Sequence, residues 1–147
     1  MKIREFLSPS DAIVDVRARD KADLLKQLAN LAASALNLSP EAVADEIEKR
    51  DELGSTGIGG GVSMPHARLR EVKKSFGLLA RLRQPIDFEA VDGQPVDVVF
   101  LLLLPASSQL DQLNALAAVA RKLRDPEVLS KLRAATNAAE IYAAVAA

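Results

Sequence analysis

The sequence predicts one domain over residues 1–147, an α/β sandwich in which helices flank a mixed β-sheet. Residues 96–104 are almost entirely apolar, which is typical of a strand buried on both faces. Apolar residues at helical spacing, before and after this strand, predict helices toward both ends of the chain. Residues 82–96 contain no crossover helix, so the sheet is expected to be mixed rather than purely parallel.

In the N-terminal half, a strand at residues 12–16 is expected to precede two helices. Asp20 is suited to cap the first helix, and Ser39 followed by Pro40 marks the start of the second. The second helix should end near Leu53 and Gly54, where glycine favours a left-handed cap. The apolar stripes expected to face the core are Leu24, Leu28, Leu31 and Ala35 in the first helix, widened by Leu25, Ala32 and Leu36, and Val43 and Ile47 in the second.

In the C-terminal half, a short strand at residues 62–64 is expected to stop at Pro65, and a longer one covers residues 76–82. Residues 84–95 read as a loop with a turn at Asp92-Gly93. Three helices should follow. The apolar face expected in the first consists of Leu110, Leu113, Leu116, Ala117, Ala120 and Leu123. The second should begin at Asp125-Pro126-Glu127 and carry the apolar residues Val128, Leu129 and Leu132. Before the third, which contains Ile141 and Val145, Asn137 and Glu140 resemble a capping box.

The composition argues against several classes of protein. A net charge of −1, with five aromatic residues and no tryptophan, disfavours nucleic-acid and anionic-membrane partners. The absence of cysteine excludes disulfides and thiol chemistry, and a single histidine makes a structural zinc site close to impossible. The longest apolar run is too short to span a membrane, and the N-terminus lacks the apolar core of a secretory signal. We therefore expect a cytoplasmic protein.

Residues 50–69 hold the informative motif, including a segment, 54–61, with five of the seven glycines that we expect to lack regular structure. The P-loop spacing of Gly54 and Gly59 is present, but Gly60 and Gly61 stand where lysine and serine or threonine are required. The dinucleotide pattern and the nucleophile elbow fail as well. Local support for nucleotidase, dehydrogenase and serine-hydrolase chemistry is therefore absent.

What remains is His66, the only histidine, placed after a rigid proline and beside the glycine-rich segment. A histidine that accepts a phosphoryl group needs one neutral ring nitrogen exposed and the other holding a hydrogen bond that fixes the tautomer. Backbone N–H groups and the guanidinium groups of Arg50 and Arg68 could hold the oxygens. The alternative is that His66 is structural, as most lone histidines are.

Arg50, Glu52, Leu53, the segment GSTGIGGG and Pro65-His66 together resemble the phosphorylation-site signature of a known family. The family is the enzyme IIA components of the bacterial phosphoenolpyruvate:sugar phosphotransferase system. The match is to the fructose/mannitol class, and within it most to the nitrogen-regulatory enzymes IIA. The resemblance extends over nearly the whole chain.

The resemblance implies that His66 is phosphorylated by a small HPr-like phosphocarrier protein, itself charged from phosphoenolpyruvate through enzyme I. It implies an α/β sandwich fold, no cofactor, and a role for Arg50 in holding the phosphoryl group. Ser55 and Thr56 would contribute further hydrogen bonds. The remaining phosphoryl-binding candidates are Gly59, Gly60 and Arg68.

One position departs from the family pattern. Many members have a second histidine close to the active one, and Gln112 stands there in this chain. A glutamine side chain can donate or accept a hydrogen bond but cannot become cationic. The hypothesis is that the Gln112 amide, Arg50 and loop amides support the phosphoryl group.

Three functions follow from these considerations. The preferred one is a regulatory phosphocarrier whose phosphorylated and unphosphorylated forms bind different target proteins. The first alternative is a sugar-specific enzyme IIA that passes the phosphoryl group to a IIB component in fructose- or mannitol-type uptake. The second is a non-catalytic interaction module in which His66 is structural.

Overall fold

The computed structural model describes all residues 1–147 as a mixed six-stranded sheet flanked by five α-helices in a single domain. Two short 3₁₀ turns, Ile3–Glu5 and Pro9–Asp11, precede the first strand. The strands are β1 (Ala12–Val16), β2 (Gly57–Gly59), β3 (Val62–Ser63), β4 (His66–Leu69), β5 (Phe76–Ile86) and β6 (Val96–Pro105). The helices are α1 (Lys21–Leu36), α2 (Pro40–Glu52), α3 (Gln109–Leu123), α4 (Pro126–Ala134) and α5 (Ala138–Ala146).

Strand β6 organises the sheet, whose order is β1-β5-β6-β3-β2, with β4 also paired to β6. It runs antiparallel to β5 and parallel to both β3 and β4. Val62 lies opposite Val98 and His66 opposite Leu102, so β3 and β4 hold the same register on β6. They are two pieces of one neighbouring strand, separated at Met64 and Pro65.

The two faces of the sheet bury separate cores, as the prediction of a strand buried on both sides requires. Phe100, Leu102 and Leu104 pack against α3, α4 and α5, whereas Leu101 and Leu103 pack against α1 and α2. This period-2 alternation along β6 defines an α/β sandwich and confirms the predicted fold class. No helix of the structure is both long and apolar enough to cross a membrane.

The predicted helix starts are confirmed. The side chains of Asp20, Ser39, Asp125 and Asn137 accept hydrogen bonds from backbone N–H groups in the first turns of α1, α2, α4 and α5. The capping box is only half formed, because the Glu140 carboxylate binds the backbone N–H of Thr136 instead of that of Asn137. Helix α2 ends at Glu52, next to the predicted Leu53-Gly54, but the left-handed cap is not formed: Leu53 caps the helix in right-handed geometry, and Gly54 follows with a φ of +152°.

Two strand predictions need correction. Strand β5 continues to Ile86, four residues beyond the expected end, because Ile86 still pairs with Val96 after an irregularity in the ladder. The glycine-rich segment was expected to lack regular structure, yet Gly57–Gly59 forms β2, antiparallel to β3. The segment was predicted as a loop because glycine adopts many backbone conformations. Pairing with β3 instead gives its backbone groups hydrogen-bond partners. The turn at Asp92-Gly93 is confirmed.

The expected core face of α1 is partly wrong. Leu24 and Leu28 are fully buried, but Leu31 and Ala35 are exposed. The buried stripe continues instead through the small residues Ala29, Ala32 and Ala33. Alanines allow α1 to approach its packing neighbours closely, so the sequence position of a leucine was a poor guide to burial here.

The expected core face of α3 is partly wrong for a similar reason: Leu123 is buried and Leu116 and Ala120 are partly buried against the core, but Leu110, Leu113 and Ala117 are exposed. The residues that face the sheet are Ala115, Val119 and Leu123, with Gln112, while Leu110 and Leu113 are 67% and 65% exposed. Helix α3 is apolar on more than one side between residues 113 and 120, so the helical period fits two stripes. Contact with β6 selects one of them, and the other remains at the surface.

Candidate active site

The imidazole of His66 lies at the edge of the sheet, where β4 has only β6 as a partner. Pro65 precedes it, and proline has no N–H to donate, so the ladder is interrupted there. Hydrogen bonding resumes at once, because Leu102 N donates to Pro65 O over 2.9 Å. The backbone at His66 is therefore anchored to the central strand, while the residue itself remains half-buried.

The two ring nitrogens of His66 have different partners. Nδ1 lies 2.9 Å from the carbonyl oxygen of Met64. The other nitrogen, Nε2, accepts a hydrogen bond from Nε of Arg50 over 3.2 Å. A carbonyl can only accept and a guanidinium can only donate, so both contacts assign the proton to Nδ1 and leave the lone pair on Nε2. The ring is thus a neutral nucleophile with its reactive nitrogen facing Arg50.

Arg50 lies in the last turn of α2 and is held in place by a second hydrogen bond. Its Nη1 donates to the carbonyl oxygen of Gly54 over 3.0 Å, while Nε contacts the histidine. Three further N–H bonds of the guanidinium have no protein acceptor in the structure. They can donate to the oxygens of an anion bound beside Nε2, and a guanidinium can bind two such oxygens at once.

The surroundings lower the pKa of His66 below its ordinary value of about 6.5. Burial of the ring is the largest cause, and the positive charges of Arg50 and Arg68 act in the same direction. The hydrogen bond to the Met64 carbonyl opposes the shift without cancelling it. The neutral form of the ring therefore predominates at pH 7.

This shift predicts how stability depends on pH. Below pH 6.5 the unfolded chain protonates His66 before the folded chain does, so the folded state loses stability as pH falls through that region. A titration of His66 by NMR should give a pKa below 6.5. The His66→Gln variant should lose less stability than the wild type between pH 7 and pH 5 in chemical unfolding experiments. An unshifted pKa, or identical pH profiles, would contradict the burial of the ring.

Ser55 and Thr56 border His66, but their hydroxyl groups are already engaged. Ser55 Oγ donates to the carbonyl of Phe88 over 2.6 Å and accepts from the backbone N–H of Gly57. Thr56 Oγ1 pairs with Ser63 Oγ at 3.1 Å in the interior. The backbone N–H groups of Ser55 and Thr56, in contrast, donate to no protein acceptor. These two amides are the groups of the loop that can still bind an anion.

Gly59 and Gly60 have other hydrogen-bond partners. Gly59 pairs with Val62 in the sheet, and the backbone N–H of Gly60 donates to Asp92 Oδ2 over 3.0 Å. The Gly60 carbonyl accepts from Arg133 on α4. The glycine turn is thus fastened to the β5–β6 loop and to α4, and the sequence-based expectation that these amides hold the phosphoryl group finds no support in their contacts.

Arg68 and Gln112 differ in their relation to His66. Arg68 is exposed two residues further along β4, borders the same depression as Arg50 and lowers the histidine pKa. Gln112 is 7% exposed, and its amide donates to the carbonyl of Pro105 over 2.8 Å. It does not line the depressions around His66. Gln112 joins α3 to the end of β6, which is a structural contact.

Helix α3 supplies a part of the site that sequence reasoning assigned to the core. An open depression of about 390 Å³ lies beside His66. Its apolar lining comes from β2, the residue after β3, and the second stripe of α3: Ile58, Met64, Leu113, Leu116, Ala117 and Ala120. The only signal in the sequence was that α3 carries more apolar residues than one buried face can use.

Comparison with known proteins identifies the family of the chain. Residues 5–147 match the family described as phosphoenolpyruvate-dependent sugar phosphotransferase system, EIIA 2, and the chain belongs to that family. It is similar to the nitrogen regulatory protein of Bradyrhizobium diazoefficiens, with 43% identity over 99% of this chain and 95% of the relative. The nitrogen regulatory protein of Escherichia coli K12 is 40% identical over 86% of this chain and 78% of the relative.

A solved structure confirms the fold. The crystal structure of nitrogen regulatory protein IIA-Ntr from Neisseria meningitidis superposes with a TM-score of 0.92 at 33% identity. The alignment covers 97% of this chain and 98% of that one. The resemblance inferred from residues 50–66 is therefore confirmed for the whole domain.

Proposed function

We propose that this chain is a regulatory phosphocarrier that accepts a phosphoryl group on Nε2 of His66 from an HPr-like protein. The observation that carries the proposal is the pair of contacts on the ring, Nδ1 to Met64 O and Nε2 to Arg50. Together they leave a lone pair on a nitrogen that already faces a guanidinium. Membership in the phosphotransferase family supports phosphoryl transfer as the reaction, and the proposal includes a cytoplasmic location.

The transfer can be written with these groups. The Nε2 lone pair attacks phosphorus in line, an N–P bond forms, and the bond from phosphorus to the donor nitrogen breaks, with its electron pair returning to the donor. The Nδ1–H group keeps donating to Met64 O, and this carbonyl oxygen stabilises the positive charge that develops on the ring as Nε2 attacks. Arg50 releases Nε2 and turns its N–H groups to the phosphoryl oxygens, assisted by the amides of Ser55 and Thr56 and by the charge of Arg68.

The regulatory role rests on the printed names of the similar proteins, which are nitrogen regulatory proteins. A phosphoryl group adds about −1.5 to −2 charges near neutral pH, enough to create or forbid a contact with a target protein. The rival is a sugar-specific enzyme IIA, which the family description keeps open. It differs by passing the phosphoryl group to a IIB component.

The test is incubation with phosphoenolpyruvate, enzyme I and an HPr-like carrier, followed by intact mass measurement. We expect a gain of one phosphate that is labile in acid, as a phosphoramidate is. The phosphorylated chain is then mixed with fructose- and mannitol-type IIB domains. Retention of the phosphate supports the regulator, and rapid transfer supports the sugar-specific rival. No gain of mass with a demonstrably active donor would leave the non-catalytic interaction module.

The donor is expected to dock on the apolar surface beside the histidine. Leu53 after α2 is 85% exposed, and Leu113 on α3 is 65% exposed, so leucines lie at the surface near the ring. Exposed apolar side chains of this size, next to a reactive group, are typical of a protein-binding surface. They support a protein rather than a small molecule as the source of the phosphoryl group.

This surface gives a prediction for Leu113→Glu. The charge should raise the KM for the phosphorylated carrier about tenfold or more, because burying an unpaired carboxylate in the interface opposes docking. The kcat should change little, since the imidazole is untouched. Steady-state phosphorylation kinetics measure both constants. Leu31→Glu, on the exposed side of α1, is the matched control; an equal effect in both variants would exclude α3 as the docking surface.

A further inference from the structure

The hydroxyl groups of Thr56 and Ser63 form a buried hydrogen bond close to His66. Ser63 is 0% exposed and Thr56 4% exposed, and their oxygens lie 3.1 Å apart. If one hydroxyl were removed, the other would remain as a buried polar group without a partner, which is destabilising. The pair therefore joins the loop to β3 with a definite geometry at a place where water does not compete.

The same loop is fastened at two further points. Thr56 O accepts from the backbone N–H of Met64 over 2.9 Å, and Ser55 Oγ donates to Phe88 O. Met64 is also the residue whose carbonyl holds Nδ1 of the histidine. Thr56 is thus hydrogen-bonded to Met64, the residue whose carbonyl orients the His66 ring. The backbone N–H groups of Ser55 and Thr56 have no protein acceptor.

We propose that Ser63 is a positioning residue for phosphoryl transfer, because its hydroxyl holds Thr56 so that the Ser55 and Thr56 amides face the phosphoryl group on His66. This inference rests on the proposed function. Ser63 does not contact the reacting atoms. It acts through the loop, whose amides stabilise the charge on the equatorial oxygens.

The geometry explains why two hydroxyl residues sit beside the histidine without offering their hydroxyls to it. Side-chain oxygens of Ser55 and Thr56 fix the loop, and backbone nitrogens do the binding. A fixed pair of amides needs no reorganisation as charge develops, which is how preorganised donors lower a barrier. Small displacements of such donors reduce rate more than they reduce docking.

The experiment compares four single variants and one double variant in the phosphorylation assay. Ser63→Ala and Thr56→Val each remove one hydroxyl of the pair, and both should lower kcat about tenfold with the KM for the carrier unchanged. The double variant should match either single one, because both remove the same bond. Thr56→Ser keeps the hydroxyl and should restore most of the rate. Ser75→Ala is the matched control, since Ser75 has a buried hydroxyl without a partner.

A spectroscopic readout separates positioning from general weakening of the fold. On phosphorylation the amide protons of Ser55 and Thr56 should shift downfield in the wild type and clearly less in Ser63→Ala. Wild-type kcat in Ser63→Ala, or equal losses in Ser63→Ala and Ser75→Ala, would overturn the positioning role while leaving the phosphocarrier function intact. Failure of the wild type itself to take up phosphate would overturn the function and this inference together.

Discussion

The His66→Gln variant should gain no phosphate under conditions that fully phosphorylate the wild type. The glutamine amide approximates the ring in reach and can accept a hydrogen bond from Arg50, but its nitrogen is not a nucleophile. No other histidine is present to take over the reaction. Intact mass after incubation with the phosphorylated carrier measures phosphate incorporation, which should fall below the detection limit of the assay.

The control for this variant is its fold. Circular dichroism and thermal unfolding at pH 8 should resemble the wild type, because the ring is only half-buried and is neutral there. The donor must be shown to phosphorylate the wild type in the same tube. Phosphate incorporation by the His66→Gln variant would place the acceptor on another residue and would refute the carrier mechanism.

The second large effect is expected at Arg50. Arg50→Met should lower kcat by about 10²–10³, the usual loss when a preorganised donor to a developing charge is removed. Arg50→Lys should fall between, because an ammonium group keeps the charge but lacks the planar fork that binds two oxygens. Rapid-quench measurement of transfer from the carrier, at saturating carrier, reports the chemical step.

A neighbouring residue provides the matched control for Arg50. Lys49→Met removes a positive charge one residue earlier in the same helix, where the side chain is 70% exposed and paired only with Glu46. It should leave kcat within about twofold of the wild type. Measurement at pH 8 keeps His66 neutral in all variants, so the rise in histidine pKa expected on losing Arg50 does not enter the comparison. Equal losses at both positions would assign the effect to net charge.

The sequence predicted those parts of the fold that local chemistry decides. The apolar run of β6, the capping side chains and the proline after β3 each carry a signal within a few residues. The face of α3 that packs on the sheet could not be read in this way, since two apolar stripes have the same period. Its choice depends on β6, which lies in a different part of the chain.

In the candidate site, too, some residues could be predicted from the local sequence and others depend on contacts with distant parts of the chain. His66 and Arg50 were identified from the motif, and the structure brings them within hydrogen-bonding distance. The Met64 carbonyl, the buried Ser63 hydroxyl and the apolar wall of α3 were missed, because their roles arise from contacts that residue type does not encode. Gln112 was placed by alignment to a second histidine, and its hydrogen bond to Pro105 instead gives it a structural contact.

The two pieces β3 and β4, bound in one register to β6, have a consequence for how a target protein could read the phosphorylation state. The central strand holds the chain firmly on both sides of the histidine, so little of the scaffold is free to move when the ring is modified. If His66 carries the phosphoryl group, as proposed, we expect the difference between the two forms to be confined to the surface close to Nε2. A target that responds to phosphorylation has to cover that surface, and while bound it prevents the carrier from reaching the ring. On the proposed function, we therefore expect that a target protein and the phosphorylated carrier cannot occupy the surface at His66 at the same time.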